Sequence, residues 1–421
     1  MAADLEPTVV PSRDVGRDDV GRDDVGRQDD RLSHDVPEAA WPQGFRVHTG
    51  HAGLLEDGRD DLTILVSDGP ATSAAVFTRS RFAGPSIELS RAAGQGGRAR
   101  GVVILSRNAN VATGATGMAD AVEVRDRVAA IVGIAVDQLL IASTGVIGRH
   151  YPMPAVRQHL DTVTWPPASA DFAAAARAIM TTDTRMKLHT SRVGDARIVG
   201  IAKGVGMIEP DMATMLAFVC TDAAIDPEQL DQVFRRVVDR TFNSVSIDTD
   251  TSTSDTAAIF ANGLAGPVDA MAFEEALTSV CLGLVRDIAS DGEGAGRLIV
   301  VEVSGARDDV QAKRVGKSIV NSPLVKTMVH GADPNWGRVT MAIGKCQDDL
   351  DIVPDLVRIA FGGIEVFPDE PDARALTAVV SHLRSDEVRI GVELGIADGT
   401  WTVYGCDLTE GYVRLNSSYT T

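Results

Sequence analysis

From Gly44 onward, apolar residues recur at two different periods, and each period predicts its own kind of element. Between Asp226 and Arg240, the residues Leu230, Val233, Phe234, Val237 and Val238 fall on one stripe of a helix. Asp226 is placed to cap that helix, and Pro227 suits its first position because the missing N–H has no partner there anyway. Phe273, Leu277, Val280, Leu284 and Ile288 make a second stripe, predicted to end at Ser290-Asp291-Gly292. Short β-branched runs bounded by Gly, Asp or Pro predict strands at Leu62 to Val66, Ala74 to Thr78, Ser86 to Leu89, Val102 to Leu105 and Leu139 to Ala142. Further strands are predicted at Leu298 to Val303, Val388 to Leu394 and Trp401 to Tyr404. Strands and helices mix without a regular βαβ alternation, so the fold class is α+β in layers and not a doubly wound sheet.

The first forty or so residues follow neither period. Asp14-Val15-Gly16-Arg17-Asp18 repeats as Asp19 to Asp23 and again, imperfectly, as Asp24 to Gln28. Too few apolar groups accompany these charges to offset the entropy of ordering them, so residues 1–40 are expected to be a disordered low-complexity extension. The full chain, at 421 residues and 44% apolar overall, is long enough to bury core-sized units.

Charge and cysteine content then narrow the function. A net charge of −19 repels nucleic-acid backbones and anionic lipid, so neither is an expected partner. No apolar run reaches the roughly 18 to 20 residues that span a bilayer, and no signal pattern opens the chain, which points to the cytoplasm. Cys220, Cys281, Cys346 and Cys406 are widely spaced and read as small core residues in a reducing compartment. Asp248-Thr249-Asp250-Thr251-Ser252 begins like a calcium loop, but Thr253 stands where glycine is required and Ile259 where glutamate is. The glycine-rich pieces at Lys203 to Gly206 and Asp291 to Gly296 match neither phosphate-loop nor dinucleotide spacing, and the histidines are scattered. No metal and no cofactor is expected.

The informative stretch is Lys203-Gly-Val-Gly-Met-Ile-Glu-Pro-Asp-Met-Ala-Thr-Met-Leu-Ala-Phe218. By itself it is a strand, a turn at Glu209-Pro210-Asp211, and a second strand whose first polar residue is Thr214. It also resembles the autocleavage signature of the ornithine acetyltransferase (glutamate N-acetyltransferase) family, with scission between Ala213 and Thr214. Five further segments resemble signatures of that family in the same order: Ser143 to Gly148, Thr181 to Thr184, Ser246 to Thr256, Asp291 to Gly294 and His330 to Arg338. The terminal Asn416-Ser417-Ser418-Tyr419-Thr420-Thr421 extends the resemblance to the end of the chain.

The resemblance implies a layered sandwich of the N-terminal-nucleophile type, cleaved into an α chain of residues 41–213 and a β chain of 214–421, with two such pairs per assembly. A threonine hydroxyl is a weak nucleophile that needs a base nearby. Cleavage would supply one, because the freed α-amine of Thr214 has an ordinary pKa of roughly 8. A backbone strained at the Pro210 turn could assist the cleavage itself. The family pattern assigns the oxyanion to the Thr144 hydroxyl and the Gly145 amide. It places Thr181, Lys203, Thr214, Glu293, Asn416 and Thr421 around the substrate. Lys203 suits a carboxylate and Glu293 an ammonium group, although either, taken singly, is more commonly a solvated surface charge. For His330 to Arg338 the expectation is a structural turn.

The implied reaction takes an acetyl group from N-acetylornithine onto Thr214 and passes it to glutamate in ping-pong order. The chain departs from the usual pattern at Glu209 and Asp211, where His and Asn are expected, and at Arg107 to Ala112 in place of Gly-Asn-Ala-Asn-Ala-Cys. At those places and at Arg79 to Pro85 it resembles the branch found in actinobacterial clavulanate-type gene clusters, which favours a monofunctional transferase over a bifunctional one that also uses acetyl-CoA. Competing readings are a self-cleaving aminopeptidase or amidase of related architecture and an inactive binding protein that keeps the fold.

Overall fold

The computed structural model describes residues 38–168, 170–209 and 215–418. Pro210, Ala213, Thr214, Thr421 and the 1–37 part of the expected extension lie outside the described residues. Val36–Thr421 forms one compact unit.

In its first half the order is β1 (Phe45–Gly50), β2 (Leu62–Ser67), β3 (Thr72–Phe77), α1 (Pro85–Ala93), β4 (Gly101–Leu105), α2 (Gly114–Val132), β5 (Leu139–Ser143), α3 (Met153–Thr162), α4 (Phe172–Ala178), β6 (Lys187–Val193) and β7 (Ala196–Lys203). There follow β8 (Leu216–Ala224), α5 (Pro227–Arg240), β9 (Val245–Ser246), β10 (Thr256–Pro267), α6 (Ala270–Ser290), β11 (Leu298–Ala306), α7 (Asp309–Val320), α8 (Pro323–Gly331) and α9 (Trp336–Ile343). The chain closes with β12 (Arg358–Phe361), β13 (Ile364–Phe367), α10 (Ala373–Leu383), β14 (Glu387–Glu393), β15 (Gly399–Cys406) and α11 (Glu410–Ser418).

The strands form three sheets, ordered β1-β2-β4-β5, β3-β10-β8-β7-β6 and β13-β12-β14-β11-β15-β9. Parity of position along each strand sorts the side chains between cores, because successive residues point to opposite faces. Val102 and Ile104 of β4 share a core with Leu216 and Phe218 of β8 and Val199 and Ile201 of β7, so the first two sheets pack face to face. Val103 and Leu105 face the other way, against Val124 and Val128 of α2 and Val156 and Leu160 of α3. On the far side of the second sheet, Ala217 and Val219 meet Leu230, Val233 and Phe234 of α5 and Leu277, Val280 and Leu284 of α6. The result is helix, sheet, sheet, helix. Such strands, buried on both faces, read in sequence as unbroken apolar runs.

The third sheet continues this unit. Val300 and Tyr404 join the α6 core, and Val301 and Val403 bury against Val315, Ile319 and Met328 of α7 and α8. Both amphipathic helices read from the sequence form: Asp226 caps α5 by accepting from the Glu228 amide at 3.0 Å, and α6 gives way at Asp291. One strand does not. Ser86 to Leu89 lies inside helix α1, which Gly84 precedes and Pro85 opens, and its buried residues Ser86, Ile87, Ser90 and Ala93 recur at helical spacing. Cys346 likewise departs from the core reading: Cys220, Cys281 and Cys406 are buried, whereas Cys346 is half-buried. Among the described residues no helix is long and apolar enough to cross a membrane, and no group of His, Cys, Asp and Glu is arranged to hold a metal ion.

Candidate active site

The ends of β5 and β7 meet where the two packed sheets open, because both strands carry continuous apolar runs to the same edge and then turn polar. Behind that edge is a cavity of about 220 Å³ lined by Thr144, Gly145, Thr181, Lys203, Glu293 and Asn416. These are all of the described residues to which the family pattern gave a catalytic or substrate role. Met215 and Leu216, which follow Thr214 in the chain, line it too.

Thr144 follows β5 and is nearly buried. Its amide donates to the Leu105 carbonyl at 3.0 Å, which fixes it beside β4. Gly145 adopts φ +127°, and a Cβ there would lie 2.1 Å from the Arg107 carbonyl carbon. Only glycine fits such a conformation and such an approach. Lys203 ends β7, and its ammonium donates to the Thr144 hydroxyl at 3.1 Å. Burial pushes the Lys203 amine below its ordinary value, and Asp183, Asp255 and Glu293 oppose that shift while Lys187 reinforces it.

Glu293 lines the same cavity. Thr182 donates to one carboxylate oxygen at 3.0 Å, and Asn416 of α11 to the other at 2.9 Å. Gly206 passes so close that a Cβ would lie 2.7 Å from Glu293 Oε2. Asn416 therefore positions Glu293 as well as lining the cavity. Thr181 is held through its amide, which donates to Asp183 at 3.0 Å.

Several lining residues carried no assigned role from the sequence. Asp248, set aside as a failed calcium ligand, accepts the amides of Met207 at 2.7 Å and Ile208 at 2.8 Å. Met207 has φ +55°, a conformation uncommon for a side chain of its size. Asp250 and Tyr412 also face the cavity. Burial, with Asp248, Asp250 and Glu293 nearby, pushes the Tyr412 hydroxyl up to about 12. Asp248 was legible as part of the Ser246 to Thr256 signature, but nothing in the sequence around Tyr412 marks it. Of the His330 to Arg338 stretch, expected to be a structural turn, only Ala332 to Asn335 joins α8 to α9; the other residues belong to the ends of those helices, and none of the stretch lines this cavity.

The pocket thus holds a cation, a hydroxyl donor and a carboxylate. Fold and pocket together define a layered α+β enzyme acting on a small, polar molecule. The model of the ArgJ family matches residues 46–421. Glutamate N-acetyltransferase Oat2 of Streptomyces clavuligerus is 65% identical over 395 residues, covering 93% of this chain and 100% of that protein. The arginine biosynthesis bifunctional protein ArgJ of Rhodococcoides fascians is 58% identical over 387 residues, covering 91% of this chain and 95% of that one. A solved structure of the arginine biosynthesis bifunctional protein argJ of Bacillus halodurans is 41% identical, covers 49% of this chain and 100% of that one, and has a TM-score of 0.46. The chain belongs to the ArgJ family.

Proposed function

We propose that the chain is an autoprocessed glutamate N-acetyltransferase of the N-terminal-nucleophile type, which moves an acetyl group from N-acetylornithine to glutamate through an acyl-enzyme on Thr214. The observation that carries this reading is the convergence of Thr144, Gly145, Thr181, Lys203, Glu293 and Asn416, which come from segments far apart in the chain, on the cavity that Met215 also lines.

Scission between Ala213 and Thr214 gives chains of 41–213 and 214–421. The Thr214 α-amine then takes the proton of its own hydroxyl as that oxygen attacks the acetyl carbonyl. The Thr144 hydroxyl and Gly145 amide receive the negative charge that develops on the carbonyl oxygen. Because Lys203 donates to the Thr144 oxygen, the Thr144 proton is left to point at that charge. Collapse of the intermediate expels ornithine, and the glutamate amine attacks the ester in the second half-reaction. Strands of the two chains share cores, since β7 and β8 are paired along Ile198 to Lys203. They remain together after scission, and two such pairs form the assembly, located in the cytoplasm.

The test is to incubate the enzyme with N-acetylornithine, with and without glutamate. Ornithine release that depends on glutamate supports the transferase. Equal release in both supports an amidase and overturns the reading.

A further inference from the structure

Behind the cavity wall lies a charged cluster with no part in the chemistry above. Lys187, the first residue of β6, is completely buried. Its ammonium lies 2.6 Å from an Asp183 oxygen and 2.7 Å from an Asp291 oxygen. A buried ammonium without counter-charges would be costly, so each carboxylate is needed to keep it there.

Each carboxylate also grips backbone. Asp183 accepts from the Thr181 amide at 3.0 Å and the Gly204 amide at 2.7 Å. Asp291 accepts from the Thr184 amide at 3.1 Å and from the Thr184 hydroxyl. Two residues on, the Glu293 amide donates to the Val205 carbonyl at 2.8 Å. Three loops are therefore tied at one point, and they carry Thr181, Thr182, Lys203 and Glu293 into the cavity. Two carboxylates against one ammonium also leave the cluster with an excess negative charge behind Lys203.

We propose that Asp183, Lys187 and Asp291 form the positioning cluster of this site, and that Asp183 is the counter-charge that keeps the Lys203 ammonium in place beside Thr144. This rests on the acetyl-transfer reading given above. The groups that bear on Lys203 are Asp183 and Lys187 from this cluster, Asp255 just before β10 and Glu293 in the same cavity. Of these, Asp183 acts most strongly in favour of the charged form.

The experiment is the pH dependence of kcat/KM for acetyl transfer from N-acetylornithine to glutamate, across about pH 6 to 10, in the wild type, Asp183→Asn, Lys203→Arg and the double variant Asp183→Asn/Lys203→Arg. Asparagine removes the charge and keeps one acceptor oxygen, so one of the two backbone amides, which bond to different oxygens of Asp183, loses its partner. The alkaline limb of Asp183→Asn is expected to move down by about one pH unit, the usual size of a lost neighbouring counter-charge. With Lys203→Arg, whose guanidinium does not titrate in this range, adding Asp183→Asn should move no limb. A cluster that serves stability alone would lower the melting temperature and leave the limb where it is. If Asp183→Asn does not fold, Asp183→Asn/Lys187→Met leaves no unpaired buried ammonium and is expected to move the limb the same way by a smaller step. An unmoved limb in whichever variant folds and turns over removes the inference. A wild type that transfers no acetyl group removes the functional reading, and this inference with it.

Discussion

The Lys203 ammonium and the Thr144 hydroxyl, 3.1 Å apart, join the ends of strands from two different sheets. A donor with a fixed partner on its oxygen side cannot rotate its proton freely, so the bond sets the direction in which Thr144 donates. Preorganised donors of this kind cost no rearrangement when charge develops.

Thr144→Val removes that donor with little change in shape. The expected outcome is a fall in kcat of about 10²- to 10³-fold, the usual loss for one oxyanion donor. Thr144→Ser, which retains the hydroxyl, should recover most of the rate. Steady-state kinetics at saturating N-acetylornithine checks this, and a Thr144→Val enzyme with wild-type kcat removes Thr144 from the oxyanion role.

Glu293→Gln keeps the shape of the carboxylate held by Thr182 and Asn416 but not its charge. A charged hydrogen bond to a substrate ammonium is worth about 1.5 to 3 kcal/mol, so KM should rise roughly 10- to 150-fold. The change in kcat should be much smaller. Initial-rate measurements over substrate concentration separate the two, and an unaltered KM with reduced kcat would place Glu293 in the chemistry instead.

Stability should fall in acid. The Lys187 and Lys203 ammonium groups and the Thr181 amide outweigh burial and hold the Asp183 carboxyl well below its ordinary value of 3.8. A carboxylate depressed in the folded state stabilises the protein above the unfolded value, and that contribution is lost as pH falls toward the folded value, because the unfolded chain takes up the proton first. Urea unfolding between about pH 5 and 3 should therefore show a steeper loss of stability in the wild type than in Asp183→Asn. Parallel slopes would mean that Asp183 is not held ionised in the folded protein.

The fold was legible where a periodic stripe was long enough to decide. The five apolar residues of α5, Leu230 to Val238, share one face over about two turns, and no strand could bury them together. Ser86 to Leu89 offered only four residues, too few to separate a strand from the first turn of a helix, and Pro85 was the better guide. The cavity-lining residues were readable because several sit in glycine-rich or threonine-rich segments that resemble family signatures. The Lys187 cluster was not readable, because Lys187 and Asp291 are 104 residues apart and only the packing of β6 against α6 brings them together. A lysine at the start of a strand carries no mark of burial in sequence, and neither does Tyr412.

Intact-mass analysis after incubation with N-acetylornithine, without glutamate, tests the central claim most directly. The account predicts a fragment beginning at Thr214 that gains the mass of one acetyl group and loses it again when glutamate is added, while Thr214→Ala remains a single uncleaved chain. An active wild type in which that chain is uncut, or in which the acetyl group maps to any residue other than Thr214, would contradict it.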